Sequence, residues 1–463
     1  MTSETADTTI RKLQAQHNSQ NQQQIWRNQK MALFGKNKGN RPENTWEKEL
    51  SFMVVLPKNE ADIDDLERLA QRLQETDLEL VGREDIPPEN GLMLRVASGE
   101  LQYRVHLDTL SVEIPEMYRI QHFFRDIDIE EIQQQKKGLV VEMLFDEHIL
   151  ESFHTQLKII SGLLPDCLAA LDHSSEKVLS GKWIQLAAKS NVPPSPRYIF
   201  TVQAVSGDTD EVWLHSHGMN RCGLPELEIL NSTKDMFNDH YNIIEIMAKR
   251  LIESGEPPKE KEPMYLAMVT DGIPLIATVV NWKEAIRKYP ASILGGASDR
   301  KENHNANTDA IFCYPSPKAV RKKQYCEVNV YDEYLSQNPI YMLTTQETER
   351  MRRLAAERLA YMLKMFGRKN IKVLVKVGLE TDEAFQEQGN GAEHIWFDLK
   401  EKQEDTFLAE LTQEPYYIKD LHEGALMTFP YSQITDWIIF TPDGRVTPDD
   451  VYLLAYDGWN LQE

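Results

Sequence analysis

The pattern of short apolar runs constrains the fold of this chain most strongly. From Ser51 onward, runs of strand length alternate with polar turns and with segments of helical period. Such runs include "SFMVVLP", "GLVVEMLF" and "EVWLHSH", whereas "EADIDDLERLAQRLQET" has apolar residues at helical spacing. Strands and helices that follow each other in this way are typical of α+β folds. We therefore predict an α+β fold with mixed or antiparallel sheets and packed helices.

The length and the changes in composition predict several domains. A chain of 463 residues exceeds one ordinary core. We expect a flexible, disordered tail over 1–45, an α+β unit over 46–135, a second α+β unit over 136–333 and a C-terminal module over 334–463. The tail is rich in glutamine and asparagine and has no apolar period. Two questions stay open: whether the first two units form one domain, and whether translation starts at Met1 or Met31.

The last third of the chain has the clearest pattern. In residues 345–366, apolar side chains recur at helical spacing, and Gly367 follows as a helix cap. Four runs of strand type come next, namely "IKVLVKVGL", "HIWFDLK", "TFLAELT" and "DWIIFT". The expected C-terminal module is one helix packed on a curved antiparallel sheet.

The excess of acidic over basic residues limits the partners that this chain can have. Its formal net charge is -22 and its pI is about 5.1. Because like charges repel, we expect neither a nucleic-acid partner nor an anionic membrane surface. An acidic surface suits a basic partner, so the partner that we expect is another protein. The oligomeric state does not follow from these features.

The cysteines and the apolar runs indicate a reducing, aqueous compartment. The four cysteines are Cys167, Cys222, Cys313 and Cys326. They form no CxxC pair, which argues against a zinc ribbon or a disulfide framework and favours reduced thiols. No apolar run approaches the roughly 20 residues of a membrane helix. The polar N-terminus lacks the apolar segment of a secretory signal. We therefore expect a cytoplasmic protein.

The stretch "VWLHSHGMNRCGLPELEIL", residues 212–230, contains the candidate metal ligands. Alternate side chains of a strand share a face, so His215 and His217 can both reach one ion. Glu226 is the candidate carboxylate ligand, and Glu228 and His240 are its alternatives. Two histidines and one carboxylate bind zinc or non-haem iron with an open position. A divalent metal is the one cofactor that the sequence suggests.

Two other interpretations of the same stretch stay open. His215 and His217 can instead hydrogen-bond to neighbouring groups at a turn that Gly218, Gly223 and Pro225 shape. They can also line a surface for a ligand or a partner. A His-x-His pair alone is common, and the sequence does not identify a third ligand.

One pattern in the C-terminal third is specific enough to indicate a family. Its residues are Glu393, His394, Trp396, Gln413, Glu414, Pro415, Gly424, Asp436 and Trp437. In order and spacing they resemble the bacterial family called domain of unknown function 2314. The whole chain also resembles bacterial proteins grouped as domain of unknown function 4026, which have that module at the C-terminus. The resemblance implies an architecture and a bacterial origin, and it implies no activity.

The chain lacks the common catalytic motifs. It contains no GxxxxGK[ST], no GxGxxG after a strand, and no GxSxG, HExxH or EF-hand loop. Our hypothesis is therefore a non-enzymatic binding or regulatory protein of the bacterial cytosol. The alternative hypothesis is a metal-dependent, hydrolase-like enzyme centred on His215 and His217.

Overall fold

The chain folds into two compact units. The first runs to Ala188 and again from Pro194 to Met342, and the second comprises Lys189–Pro193 and the chain from Leu343 on. The computed structural model describes residues 48–87, 91–115, 118, 124–270, 273–300, 305–337, 345–386 and 391–456. The predicted tail over 1–45, with its alternative start at Met31, lies outside the described residues.

The first unit contains a seven-stranded antiparallel sheet. Its strands are β1 (Ser51–Leu56), β2 (Glu79–Glu84), β3 (Leu92–Ser98), β4 (Leu101–Ser111), β5 (Lys137–Met143), β6 (Ala169–Asp172) and β7 (Lys177–Ser180). The helices of this part are α1 (Leu66–Arg72), α2 (Ile129–Gln133), α3 (Ile149–Leu163) and α4 (Gly181–Ala188). The strand order is β2-β3-β4-β5-β1-β6-β7, so the sheet takes strands from both sides of residue 135.

Strand β1 lies in the interior of this sheet and is covered on both faces. All of its residues are buried, and alternate side chains of a strand point to opposite faces. Phe52 and Val54 pack in a cluster with Ile132 of α2. Helix α3 packs against the neighbouring strand β5. This double cover explains why "SFMVVL" is continuously apolar and does not alternate.

The same unit contains a six-stranded mixed sheet. Its strands are β8 (Thr201–Ser206), β9 (Glu211–His217), β10 (Glu226–Thr233), β11 (Met264–Thr270), β12 (Ile273–Asn281) and β13 (Thr308–Cys313). The helices are α5 (Phe237–Ser254), α6 (Trp282–Ala285), α7 (Pro317–Arg321) and α8 (Asp332–Leu335). The order is β11-β12-β13-β10-β9-β8, and β10 pairs with β13 in parallel while the other pairs are antiparallel.

The second unit is a six-stranded antiparallel sheet with helices. Its helices are α9 (Thr345–Glu357), α10 (Leu359–Met365), α11 (Glu383–Gln386) and α12 (Tyr452–Tyr456). Its strands are β14 (Lys372–Glu380), β15 (Ala392–Lys402), β16 (Thr406–Leu411), β17 (Leu426–Pro430), β18 (Ile434–Thr441) and β19 (Gly444–Val446). The order is β17-β16-β15-β14-β18-β19. Short 3-10 helices across both units are Glu60–Ile63, Leu73–Glu75, Pro196–Tyr198, Asn220–Cys222, Ile286–Lys288, Ala297–Asp299, Val328–Tyr331, Tyr431–Gln433 and Pro448–Asp450.

Helices α9 and α10 pack against β18 of this second unit. The indole Nε1 of Trp437 donates a hydrogen bond of 3.0 Å to the Ala355 carbonyl, which joins the sheet to α9. We expected one helix over 345–366, but the structure divides it at Arg358. There the backbone leaves the helical region (φ -103, ψ 13), and the Arg358 side chain donates to the Pro448 carbonyl at 2.6 Å.

The predicted fold class is confirmed. Within the described residues, helices pack on one mixed and two antiparallel sheets, in more than one compact unit. Across the same residues, every helix is too short or too polar to span a membrane.

A buried ion pair joins the two sheets of the first unit. Arg221 follows β9, and its guanidinium donates to both carboxylate oxygens of Asp172 at 3.0 and 2.9 Å. Both side chains are fully shielded from solvent. The guanidinium also donates to Ser51 Oγ (3.1 Å) and to the Ile199 carbonyl, while Ser175 Oγ donates to Asp172 (2.5 Å). These additional hydrogen bonds compensate for part of the water that both charges lose, although Arg221 Nε has no hydrogen-bond partner among the described residues.

A buried lysine lies beside this ion pair. The Lys177 ammonium donates to the Phe200 carbonyl at 2.7 Å and to the Arg197 carbonyl at 3.3 Å. Burial lowers the pKa of Lys177 to about 7, although Asp172 acts in the opposite direction. Two cationic side chains thus link backbone carbonyls on the β8 side to the first sheet.

We expect Arg221→Met to destabilise the protein by about 3–5 kcal/mol, because it leaves the Asp172 carboxylate buried without its counter-charge. The free energy of unfolding, measured by urea denaturation and circular dichroism, tests this prediction. The matched control is Lys323→Met. It breaks an ion pair with Glu262 whose side chains are 67% and 51% exposed, and it should change stability by less than about 1 kcal/mol. Equal losses in the two variants would contradict a special role for Arg221.

Candidate functional site

The predicted metal-ligand histidines lie on β9 and contact each other. The rings of His215 and His217 meet edge to face, with centroids 4.9 Å apart. The His215 ring also stacks on the Trp213 indole at 3.9 Å. In the sheet, His215 is directly opposite Gln203 of β8 and Glu228 of β10. His215 is only 1% exposed, so this face of the strand is interior.

A glycine turn after β9 brings the chain back toward the histidines. Gly218 has φ +112, which side chains with a Cβ rarely adopt. A Cβ at this position would also lie 2.4 Å from the Ile199 carbonyl oxygen. The turn therefore requires glycine, and it returns the chain so that β10 pairs with β9.

Glu226, the predicted carboxylate ligand, is held by this turn. Its carboxylate accepts hydrogen bonds from Ser216 Oγ (2.5 Å) and from the backbone N–H groups of Gly218 (2.9 Å) and Asn220 (3.1 Å). Burial raises the pKa of Glu226, while nearby His217 and the hydrogen bonds favour its charged form. Its observed contacts are those of a carboxylate that shapes a turn.

Glu228, an alternative third ligand, is paired with an arginine. Its carboxylate accepts hydrogen bonds from Arg300 Nη2 at 2.7 and 2.6 Å and from the Trp213 indole at 3.0 Å. Burial raises the pKa of Glu228, and Arg300 opposes this shift. The Arg300 guanidinium also lies over the Trp282 ring at 4.3 Å. Arg300 therefore connects the loop that follows Gly295 to Glu228 of β10.

His240, the other alternative ligand, has different partners. Its ring nitrogens hydrogen-bond to Ser232 Oγ at 2.8 Å and to Asp332 at 2.9 Å. Across the part of the chain that the structure describes, no three His, Cys, Asp or Glu side chains are grouped so that they could hold a metal ion. The structure thus brings His215 and His217 together but engages all three candidate third ligands elsewhere. The metal hypothesis stays a prediction.

A carboxylate that the sequence did not indicate lies closer to the histidines. Glu176 Oε2 is 3.9 Å from His217 Nε2 and accepts a hydrogen bond of 2.7 Å from Gln203. Glu176 comes from the turn between β6 and β7, far from β9 in sequence. No local pattern connects these residues, and only the packing of the two sheets does so.

In the second unit, a buried carboxylate holds an exposed loop, residues 412–425, which we call the Tyr416 loop. It connects β16 to β17. Glu393 of β15 is 9% exposed, and its two oxygens accept the backbone N–H groups of Tyr416 (2.8 Å) and Tyr417 (2.9 Å). Charge-assisted hydrogen bonds of this kind are about twice as strong as neutral ones. Glu393 therefore restrains the backbone at both tyrosines.

Further bonds restrain both ends of the Tyr416 loop. Asp382 accepts the N–H of Lys419 at 3.2 Å and donates its own N–H to the Tyr417 carbonyl at 3.0 Å. Glu414 accepts hydrogen bonds from the His422 ring (3.1 Å) and from the N–H of Glu423 (3.2 Å). The backbone of the loop is thus restrained by Glu414 from within the loop and by Glu393 and Asp382 from outside it.

This ordered loop presents aromatic and acidic side chains to solvent. Tyr416 is 80% exposed and Tyr417 is 37% exposed, and their rings are 6.4 Å apart. Leu426, at the end of the loop, is 62% exposed. The exposed charged residues of the loop are Glu414, Lys419, Asp420 and Glu423, of which three are acidic.

His394, the residue after Glu393 in the family-like pattern, lies on the opposite face of the strand. His394 is exposed and pairs its Nδ1 with Thr435 Oγ1 at 3.1 Å, whereas Glu393 is buried. Adjacent residues of a strand face opposite sides, so the two groups do not act together. Glu393 acts through the loop that it holds.

Comparison with known families gives three matches along the chain. A model of the N-terminal part of the protein of unknown function DUF4026 matches residues 51–194, and a model of its C-terminal part matches residues 202–312. Together they cover more than half of the chain. The chain belongs to the DUF4026 family.

The DUF4026 chain has one further family match. A model described as an uncharacterized protein conserved in bacteria, DUF2314, matches residues 364–447. No curated protein and no solved structure matches the chain. In this DUF4026 protein, Asp172 lies in the region that the N-terminal model matches, and Arg221 lies in the region that the C-terminal model matches. The whole Tyr416 loop lies in the region that the DUF2314 model matches.

We expect Glu393→Gln to loosen the Tyr416 loop, because an amide presents only one acceptor oxygen to two N–H donors. Loss of a charge-assisted hydrogen bond should speed amide hydrogen exchange at Tyr416 and Tyr417 about tenfold or more. Hydrogen exchange followed by mass spectrometry measures this change.

The matched control for this prediction is Glu410→Gln on the neighbouring strand. It removes a surface ion pair with Lys400, whose side chains are 40% and 39% exposed, and it should leave exchange at the tyrosines unchanged. Unchanged exchange at Tyr416 and Tyr417 in Glu393→Gln would show that Glu393 does not restrain the loop.

Proposed function

We propose that this protein binds a basic protein partner through the Tyr416 loop and acts as a binding or regulatory protein. One observation carries the proposal. Tyr416 is 80% exposed although the backbone at this residue is hydrogen-bonded to a buried carboxylate. An exposed aromatic side chain on a restrained backbone is a feature of recognition surfaces.

Energetics favour such a surface. Tyrosine is enriched among the residues that dominate binding energy, because its large ring becomes buried while its hydroxyl keeps a polar partner. A loop that is already ordered loses little conformational entropy when a partner binds. The ring of Tyr417 lies 6.4 Å from that of Tyr416, and Leu426 is a further exposed apolar side chain just after the loop.

Charge indicates the chemistry of the partner. The carboxylates of Glu414, Asp420 and Glu423 are exposed around the tyrosines, and the formal net charge of the whole chain is -22. Arginine side chains suit such a surface, because the guanidinium stacks on tyrosine rings and forms paired hydrogen bonds with carboxylates. We therefore expect a partner segment that is rich in arginine.

Fluorescence anisotropy with the full-length protein tests this proposal. The probe is a fluorescein-labelled peptide of alternating arginine and glycine, and the comparison peptide replaces each arginine with glutamate. We expect the arginine peptide to bind and the glutamate peptide not to bind. Tyr416→Ala should weaken binding of the arginine peptide about tenfold or more.

Two matched variants separate this site from general attraction between opposite charges. Glu404→Gln removes an exposed carboxylate of the same unit outside the loop, and Tyr265→Ala removes a tyrosine of the first unit that is 43% exposed. Both should bind the arginine peptide within about twofold of the wild type. No binding by the wild type, or equal binding by Tyr416→Ala, would refute the proposal.

A metal-dependent enzyme is the second candidate function. The contact between the His215 and His217 rings, with Glu176 at 3.9 Å from His217, favours it. Elemental analysis of protein purified without a metal-affinity column tests it, beside the His215→Ala/His217→Ala double variant. Near-stoichiometric zinc, iron or manganese that is lost in the variant would support this function. An equal metal content in both proteins would exclude these histidines as ligands.

A further inference from the structure

Two cysteines outside the regions considered above face each other. Cys313 ends β13, and Cys326 lies between α7 and the 3-10 helix Val328–Tyr331. They form an isolated antiparallel bridge, in which each backbone N–H donates to the carbonyl of the other residue, at 2.8 and 2.9 Å. Both thiols are free in this structure.

The geometry of this bridge is compatible with a disulfide. Residues that exchange both hydrogen bonds across an antiparallel pair have Cα atoms about 5.5 Å apart, within the range of about 4.4–6.8 Å that disulfides span. Their side chains project from the same face. Cys326 Sγ lies 3.5 Å from the Cys313 carbonyl oxygen, so it is already turned toward its neighbour.

We propose that Cys313 and Cys326 are a redox pair that a peroxide converts into an intramolecular disulfide. The Cys326 thiolate attacks one oxygen of hydrogen peroxide, the O–O bond breaks, and hydroxide leaves and takes up the thiol proton as water. The Cys313 sulfur then attacks the sulfenic acid at Cys326, the S–O bond breaks, and a second water leaves with the Cys313 proton. The two thiols lose two electrons, and the peroxide gains them.

The exposure of each thiol to solvent determines which cysteine reacts first with peroxide. Cys313 is fully buried, whereas Cys326 is partly exposed. Burial raises the pKa of both thiols, and at Cys326 the Glu327 carboxylate raises it further while the Lys288 ammonium lowers it. Lys288 is held beside this segment, with its Nζ 3.8 Å from the centre of the Tyr325 ring. Cys326 is therefore the peroxide-reactive thiol, and Cys313 is the resolving thiol.

The remaining cysteines serve as internal controls. Cys167 and Cys222 are 6% and 4% exposed, and burial raises the pKa of each to about 12. Their thiolates are scarce at neutral pH, and neither is exposed to an oxidant. Oxidation should thus be confined to Cys313 and Cys326.

The disulfide would be reversible. In a hydrogen-bonded pair such as this one, opposite Cβ atoms lie near the upper end of the range of about 4.5–5.5 Å, which is about 1 Å more than the roughly 3.5–4.5 Å of a relaxed disulfide. The strain makes the bond easier to reduce, as is typical of regulatory disulfides. The bond would lock the segment after β13, including α7, onto the edge of that strand.

Mass spectrometry of the full-length protein tests the proposal. Reduced protein is treated with hydrogen peroxide at neutral pH, blocked with iodoacetamide and digested without reduction. We expect a peptide pair linked through Cys313 and Cys326, with the mass of two hydrogen atoms lost, and its disappearance after treatment with dithiothreitol. Formation should be faster at higher pH, because more Cys326 is then thiolate.

Variants distinguish this pair from other products. Cys222→Ser should form the same disulfide as the wild type. Cys313→Ser removes the resolving thiol, so Cys326 should progress to sulfinic acid. The proposal fails if wild-type protein yields sulfinic acid at Cys326 while Cys313 remains free, or if the linked pair involves Cys167 or Cys222. These outcomes are read from the wild-type protein and do not depend on how well the variants fold.

Discussion

The ion pair between Arg221 and Asp172 is the constraint on which the first unit depends. Two charges without water are costly, and their attraction compensates only when the geometry is good and the other polar atoms are bonded. Here Ser51, Ser175 and the Ile199 carbonyl supply such bonds, whereas Arg221 Nε has no hydrogen-bond partner among the described residues. The pair therefore holds the end of β9 against the first sheet at one distance. The Gly218 turn follows from this, since the chain passes so close to the Ile199 carbonyl that a Cβ would not fit. The two histidines on β9 are thus positioned by pairing within their own sheet, while the ion pair holds the turn that follows them against the other sheet.

The fold class could be predicted because strands and helices differ in apolar period, and period is local. The run "SFMVVL" indicated a strand, which the structure confirms, whereas its cover on both faces became clear only from the structure. Strand order is not local. β1 lies between β5 and β6, and both of these partners are far from it in the chain. β17 was missed because Leu426–Pro430 is short and ends in proline. The division of the C-terminal helix at Arg358 was missed because the cause is a hydrogen bond to the distant Pro448 carbonyl.

The candidate site shows the same limit at the level of side chains. Alternation along a strand correctly predicted that His215 and His217 share a face, and the rings do meet. It could not predict that Glu228 pairs with Arg300, or that Glu176 approaches from another sheet. Glu393 belonged to a recognisable pattern, but its role became clear only from the backbone that it holds. The spacing of residues in the sequence predicts which side chains share a face of a strand. The partners of those side chains depend on tertiary contacts, which the spacing does not predict.

The same buried ion pair limits where this protein can be divided into smaller fragments. The two family matches adjoin between residues 194 and 202, which looks like a natural place to divide the gene. Because Asp172 lies on one side and Arg221 on the other, each piece alone would expose a charged group that the intact protein buries. Both halves also lie in the same compact unit. We therefore expect a fragment that ends between them to be less stable than the intact protein.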